Sequence, residues 1–393
     1  MKKLFIICIC VFGCLNISSA QNDIAQLLSS IEQNNTTLKS LRQVADANKY
    51  ENRTDIYLPD PEVGFNYLWG SPASIGNRYD ISVKQQFDIP TISGVKFNVA
   101  KQKNEMIEWQ YKADRMKILL DAKQCCLDII YYNAILREFS QRLEYATKIA
   151  DVQKQRLESG DVNILEYNNA QLNLSNVSSE ICKIETERDV LLLKLNQLNG
   201  GNKIDFTKYE YDQLILPSDF NQWYDEAEIK NPILQYVKQS IELEKKQVTL
   251  SKLQYLPVFS AGYMNETIVG EVYQGVSVEM TIPLWSNANK IKQAKSALLA
   301  SESKQIDEKQ QFLSSLEIQY TRVVGLKKAA DKYRLSLGNS NNSLLLKKAL
   351  DAGQISLLNY ILEVTVYYDT VIKALEAERD FQKSYAELTA VEL

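Results

Sequence analysis

The chain has 393 residues, with 45 Lys+Arg against 49 Asp+Glu, no histidine, 14 glycines and 8 prolines. The missing imidazoles exclude a His general base, a His metal ligand and a Ser/His or Cys/His nucleophile pair, and the net charge of −4 argues against nucleic acid as a partner, since such binders usually carry a basic domain. Gly and Pro together reach about half of their usual share of roughly 12%, so turns are few and the elements between them must be long.

Residues 1–20 read as an address. Lys2 and Lys3 precede an apolar run, 4–15, and Ser18-Ser19-Ala20 offers small residues before Gln21. That is the layout of a secretory signal peptide, and the run is too short to span a bilayer as a helix. Val11-Phe12-Gly13-Cys14 loosely resembles a lipobox, so acylation at Cys14 is the alternative fate of this segment. Cys125, Cys126 and Cys182 then remain. Neighbouring cysteines on a helix cannot bridge, and no CxxC pattern is present. All three are expected to be small buried apolar residues, with no disulfide and no metal site.

Residues 22–56 look helical up to the Leu58-Pro59 step, which bars helix continuation. Period-two alternation follows. Val63, Phe65, Tyr67 and Trp69 interleave with Glu62, Gly64, Asn66 and Leu68, and Tyr79, Ile81 and Val83 interleave with Asp80, Ser82 and Lys84. A β-hairpin is therefore expected over 62–89, with a tip at 70–77. Residues 91–216 lack proline, and 94–158 predict one helix of about 97 Å at 1.5 Å per residue. Gly160 marks a reversal, and 161–198 predict a return helix. On it Val177, Ile181, Ile184, Arg188, Leu191, Leu195 and Leu198 step by 4 and 3, a coiled-coil seam with Arg188 the exception.

The pattern then repeats. Residues 220–254 look helical and end at Leu256-Pro257, a second hairpin is expected over 258–282, and the proline-free stretch 284–393 is interrupted at Gly353. Gly160, Leu165 and Tyr167 match Gly353, Leu358 and Tyr360 at an offset of 193, which also joins Ile89-Pro90 to Ile282-Pro283. An internal duplication thus divides the chain into 21–219 and 220–393. In each copy the leading and return helices together match the long helix in length. That places them end to end beside it, a rod two helices wide with a hairpin at one end and a Gly turn at the other. Gly325 and Gly338, with Asn339 and Asn341-Asn342 following, are candidate kinks in the last long helix, although single glycines are usually tolerated there at about 1 kcal/mol.

Alternating strands of this length in a secreted chain fit an outer-membrane barrel, with Glu62, Asp80, Lys84 and Glu279 facing a wet lumen and Tyr67, Trp69, Tyr79 and Trp285 suiting the interfaces. Four strands cannot close alone, and open edges are not tolerated in lipid, so a spanning chain must oligomerise. A soluble sandwich with one solvated face shows the same alternation. Taken together, the signal peptide and the duplicated order of helix, hairpin, long helix, Gly turn and helix resemble the TolC-type outer-membrane efflux family.

The resemblance implies a mainly α fold with a β-barrel part: duplicated helical hairpins forming a trimeric α-barrel tunnel, and four strands per chain in a shared twelve-stranded transmembrane barrel. It implies a homotrimer in outer-membrane lipid with a long periplasmic extension. The partners would be a periplasmic adaptor protein and an inner-membrane pump, and no nucleic acid. The function implied is a passive exit duct for small molecules or ions, opened when the hairpins at its mouth splay. Arg156, Leu157, Gly160 and Leu165 match the first adaptor-docking tip, and Gly353 and Leu358 the second, where Ala349 stands in place of the family's basic residue. At the periplasmic entrance the family's acidic positions align with Asn359 and Leu362, with Glu363 and Glu166 nearby. No GxxxxGK[ST] loop is present, so the driving energy would come from the pump. No cluster of Asp, Glu or Cys has catalytic spacing, so no enzyme, cofactor or metal is expected. The alternative from another class is a periplasmic coiled-coil scaffold or adhesin-like stalk without a channel.

Overall fold

The computed structural model describes residues 23–54, 56–217, 219–338 and 342–393. The expected signal peptide with Cys14, and the Asn339 and Asn341 of the candidate kink, lie outside the described residues. Helices dominate, together with one four-stranded antiparallel sheet.

The leading segment of each copy is broken by a buried asparagine. Where periodicity predicts one helix each over 22–56 and 220–254, α1 (Ile24–Asn34) gives way to α2 (Thr36–Thr54) at Asn35, and α5 (Phe220–Lys230) to α6 (Pro232–Leu253) at Asn231. An Asn side chain can cap a new helix by accepting its first free N–H groups. Asn35 Oδ1 accepts from Leu38 N–H at 2.8 Å, and Asn231 Oδ1 from Ile233 and Leu234 N–H at 2.8 and 3.2 Å. Pro232 at the first position of α6 reinforces the break, because its missing N–H costs nothing there.

The hairpins follow. The first pairs β1 (Glu62–Leu68) with β2 (Arg78–Phe87), and the second β3 (Val258–Ile268) with β4 (Glu271–Thr281). β2 also pairs with β3, so the sheet runs β1-β2-β3-β4 and joins the two copies. The first tip is the longer, with a 3-10 turn at Ala73–Ile75, while Val269-Gly270 reverse the second at φ 48° and 88°, the positive pair of a type I′ turn.

The long helix α3 (Pro90–Glu158) has 69 residues and starts four residues earlier than expected, since Pro is well placed in a first turn. It is followed by α4 (Ile164–Leu198). In the second copy α7 (Lys290–Gly338) passes through Gly325 uninterrupted and is described as far as Gly338, and α8 (Asn342–Asp351), α9 (Leu357–Leu388) and a 3-10 turn at Ala390–Glu392 follow. No described helix is long and apolar enough to cross a membrane, which says nothing of a β-barrel.

The chain folds as two compact units, each drawing on both halves. One comprises the described residues up to Lys39, Arg115–Trp223 and Ser315–Leu393; the other comprises Ser40–Asp114 and Tyr224–Ser314. In the first, α1 lays Leu27, Leu28 and Ile31 against Leu119, Ala122, Cys126, Ile129 and Ile130 of α3 and Leu195 of α4. Each such side chain contributes about 1.5–3 kcal/mol on burial. The seam of α4 is inside as expected, with Val177, Ile184 and Leu195 buried. The extended segment 202–217 lies on the same unit. Its polar groups are met there: Tyr211 Oη donates to the Leu127 carbonyl at 2.9 Å, and Gln382 Nε2 donates to the Asp212 carbonyl at 3.0 Å.

Cys125 and Cys126 are buried, and desolvation pushes the Cys125 thiol up to about 11. Cys182, expected inside, is exposed: it sits one residue past the seam position Ile181 and so turns away from the core. In the second unit Glu108 accepts from Arg42 at 2.9 Å and also from Lys49; these hydrogen bonds, Lys49's first, hold its carboxyl below its ordinary range.

Asn35 also donates Nδ2 to the Leu198 carbonyl at 2.8 Å. Asn35→Ala should therefore cost about 2 kcal/mol, a cap plus an orphaned carbonyl, and Asn163→Ala, which loses only an exposed cap on α4, about 1 kcal/mol. Urea unfolding followed by helical circular dichroism would show this order.

Candidate functional site

Two reversals and one sheet face hold the residues of interest. At the first reversal α3 ends in a Schellman motif, with Asp161 N–H donating to the Arg156 carbonyl at 2.8 Å and Gly160 N–H to the Leu157 carbonyl at 3.1 Å. The second has the same closure, Gln354 to Ala349 at 2.8 Å and Gly353 to Leu350 at 3.0 Å. Gly160 and Gly353 have φ of 81° and 68°, where a Cβ would strain the backbone. Three residues on, each chain re-enters a helix through a polar cap. Asn163 Oδ1 accepts from Glu166 N–H at 3.0 Å, and Ser356 Oγ accepts from Asn359 N–H at 3.2 Å. These caps share the 193-residue offset of the glycines, so the duplication extends to them as well.

The tip residues therefore take defined places. Arg156 and Leu157 lie in the last turn of α3, Leu165 and Glu166 in the first turn of α4, Leu358 and Asn359 in the first turn of α9, and Glu363 one turn on. Leu165 is 68% and Leu358 55% exposed, large apolar side chains left uncovered by the described residues. The side chains of Glu166, Asn359 and Glu363 are exposed and make no hydrogen bond or ion pair among the described residues, so the structure does not draw these three into one cluster.

The two hairpins do meet behind their tips. Tyr145 of α3 donates to Asp351 Oδ1 of α8 at 2.9 Å and packs edge-on to Tyr360 of α9 at 5.4 Å between centroids. Arg142 lies over Tyr368 at 4.9 Å and reaches Thr365 Oγ1 at 3.5 Å. Burial leaves Arg142 Nε without a partner among the described residues and lowers the guanidinium pKa. Burial also raises the Tyr145 and Tyr360 hydroxyls and pushes that of Tyr368 up to about 12, so all stay protonated donors. Periodicity could not single out this aromatic group, because its members look like ordinary seam residues.

The sheet separates its side chains by face. The register Val63↔Val83↔Tyr263↔Val276 and Phe65↔Ile81↔Asn265↔Gln274 places a largely apolar set, interrupted by Asn265 and Gln274, on one side, and Val63, Phe65, Val276 and Val278 are all well exposed. The other side carries charge among small residues. Lys84 Nζ bonds Glu279 Oε2 at 2.6 Å, and Arg78 pairs with Asp80 at 2.7 Å and Glu266 at 2.8 Å. Small residues make room there: a Cβ on Gly262 would lie 2.7 Å from the Val83 carbonyl oxygen. β1 and β4 are edge strands, each paired on one side only. Among the described residues no group of three His, Cys, Asp or Glu could hold a metal ion.

No family model and no curated protein sequence matches the chain. Solved structures do. A membrane protein from Pseudomonas aeruginosa matches with a TM-score of 0.77 at 14% identity, over 94% of this chain and 89% of that one. The Campylobacter jejuni CmeC outer membrane channel matches at 0.71 and 14%, over 94% and 85%. The open-state Neisseria gonorrhoeae MtrE outer membrane channel matches at 0.72 and 12%, over 94% and 88%. The chain therefore has the TolC-type fold, that of the outer membrane factor channels.

A Cβ at either turn glycine would meet no atom within 4 Å, so substitution there encounters backbone strain alone. Gly160→Ala and Gly353→Ala should each lower stability by about 1 kcal/mol, read as a shift in the unfolding midpoint with unchanged helical content.

Proposed function

We propose that the chain is the outer-membrane exit duct of a tripartite export system, working as a homotrimer. The observation that carries this reading is a sheet with an exposed apolar face, a charged opposite face and two unpaired edges. A soluble protein rarely exposes so broad an apolar surface, which counts against the scaffold or stalk reading. Hydrocarbon suits that face but forbids the open edges, because each unpaired N–H or C=O costs several kcal/mol there. Pairing β4 of one protomer with β1 of the next keeps the antiparallel order. Three protomers then give the twelve strands of a closed barrel, with Lys84, Glu279, Arg78 and Asp80 lining the lumen.

In this reading the chain catalyses nothing and supplies an aperture. The Gly160 and Gly353 turns are the periplasmic tips, and exposed Leu165 and Leu358 are the apolar knobs that an adaptor hairpin would cover. Arg156 and Leu157 flank the first knob. Glu166, Asn359 and Glu363 lie at the entrance, where they can face passing solute. Parting of the hairpins would break the Tyr145–Asp351 hydrogen bond and the Tyr145–Tyr360 and Arg142–Tyr368 contacts. Export energy comes from the inner-membrane pump.

Gly353→Pro or Leu165→Asp should abolish adaptor cross-linking and export while leaving a heat-modifiable trimer in the outer-membrane fraction. Unchanged export in both variants would contradict the assignment of the tips, and release of the wild-type chain by a salt wash would contradict the duct.

A further inference from the structure

The two copies part company where the last strand of each hairpin passes into its long helix. The 193-residue offset aligns Pro90 with Pro283 and Ile92 with Trp285. In the first copy α3 begins at Pro90 itself, and Ile92 is buried at 4% exposure. In the second, α7 does not begin until Lys290, and a turn over 283–289 intervenes. That turn is firmly held. Asn287, itself buried, donates its amide to the Gln254 carbonyl, its own carbonyl accepts from Tyr255 Oη at 2.6 Å, and Ala288 N–H donates to the Trp285 carbonyl at 3.0 Å.

On this fixed backbone Leu284 and Trp285 stand 69% and 79% exposed. Packing within the chain leaves both uncovered, whereas the first copy buries Ile92, the counterpart of Trp285. Leu284 also continues the apolar series of β4: Val276, Val278, Met280, Ile282 and Leu284 alternate along the chain, and all are exposed. The antiparallel order puts the start of β1 at the same end of the sheet, and Tyr57 and Leu58, just before it, are exposed too.

The charge of the segment is one-sided. Lys290, Lys292 and Lys295 follow the turn, all exposed, and no acidic residue occurs between Glu279 and Glu302. Two of these lysines occupy the first turn of α7, where the helix dipole disfavours cations, so helix stability does not explain them. An apolar projection beside unopposed cations complements a molecule with an acyl chain and an anionic head. An acidic protein would answer the lysines but not the unbroken run of apolar side chains from the strand.

We propose that the 283–289 turn and the lysines after it bind anionic phospholipid, with acyl chains against Leu284 and Trp285 and the phosphate near Lys290, Lys292 and Lys295. This rests on the reading that the sheet spans a membrane. The site then fixes the depth of the helix-side end of the sheet in the periplasmic leaflet. Tryptophan suits such an interface, being apolar with one hydrogen-bonding edge.

The test uses the full chain reconstituted in phosphatidylcholine vesicles containing equal mole fractions of either brominated phosphatidylglycerol or brominated phosphatidylcholine. The Trp285 emission is taken as the difference between wild type and Trp285→Phe. Each lysine adds to the attraction of an anionic surface, so quenching by the anionic lipid should exceed that by the neutral one roughly twofold or more. The combined Lys290→Gln, Lys292→Gln, Lys295→Gln variant should equalise the two. Equal quenching of inserted wild-type protein would overturn the anionic site and leave the membrane reading intact. Failure of the protein to insert in either vesicle would overturn both.

Discussion

A strand edge cannot stand open in hydrocarbon, and the proposed exit duct depends on that constraint. The sheet has an exposed apolar face and a charged one, and its outer strands each have one unpaired side. In water the apolar face would be costly, and in lipid the edges would be. In the proposed membrane-spanning reading, closure with further copies meets both demands. The duplication brings two hairpins of one chain together through β2 and β3, and in the proposed assembly three such chains would supply a ring wide enough to hold water.

The helical part solves a different problem, that of reversing very long helices with few turn residues. Each reversal uses one left-handed glycine, a Schellman closure and a polar cap three residues later, and both tips carry an exposed leucine just inside the next helix. Behind them the contact is less symmetric: Tyr145 and Arg142 of the first copy grip Asp351, Tyr360 and Tyr368 of the second, so the hairpins are clamped by aromatic packing and hydrogen bonds.

Much of this is legible in the sequence because it depends on period and on proline and glycine. The strands, the long helix, the α4 seam and both glycine reversals follow from such signals. What escapes depends on single polar side chains and on local register. Asn35 and Asn231 permit breaks in helices that their surroundings favour, because each side-chain amide oxygen accepts from N–H groups that the break would otherwise leave bare. Cys182 is outside because one residue past a seam position is enough to turn a side chain away. The Tyr145–Asp351 bond joins residues 206 apart in the chain, a pairing no local pattern encodes. The turns at the tips follow from the duplication, whereas the docking and entrance roles rest on a family likeness, and Glu166 lies far in the chain from Asn359 and Glu363.

The central claim is that β4 of one protomer pairs with β1 of the next, and disulfide cross-linking tests it most directly. Exposed Cys182 is replaced by Ser, and single cysteine pairs are placed at 63, 65 or 67 on β1 and at 274, 276 or 278 on β4. Oxidation in intact membranes should give covalent trimers whose yield depends sharply on which pair is used, as a fixed strand register requires. Cross-links confined within one chain, or none between chains at any register, would contradict the shared barrel.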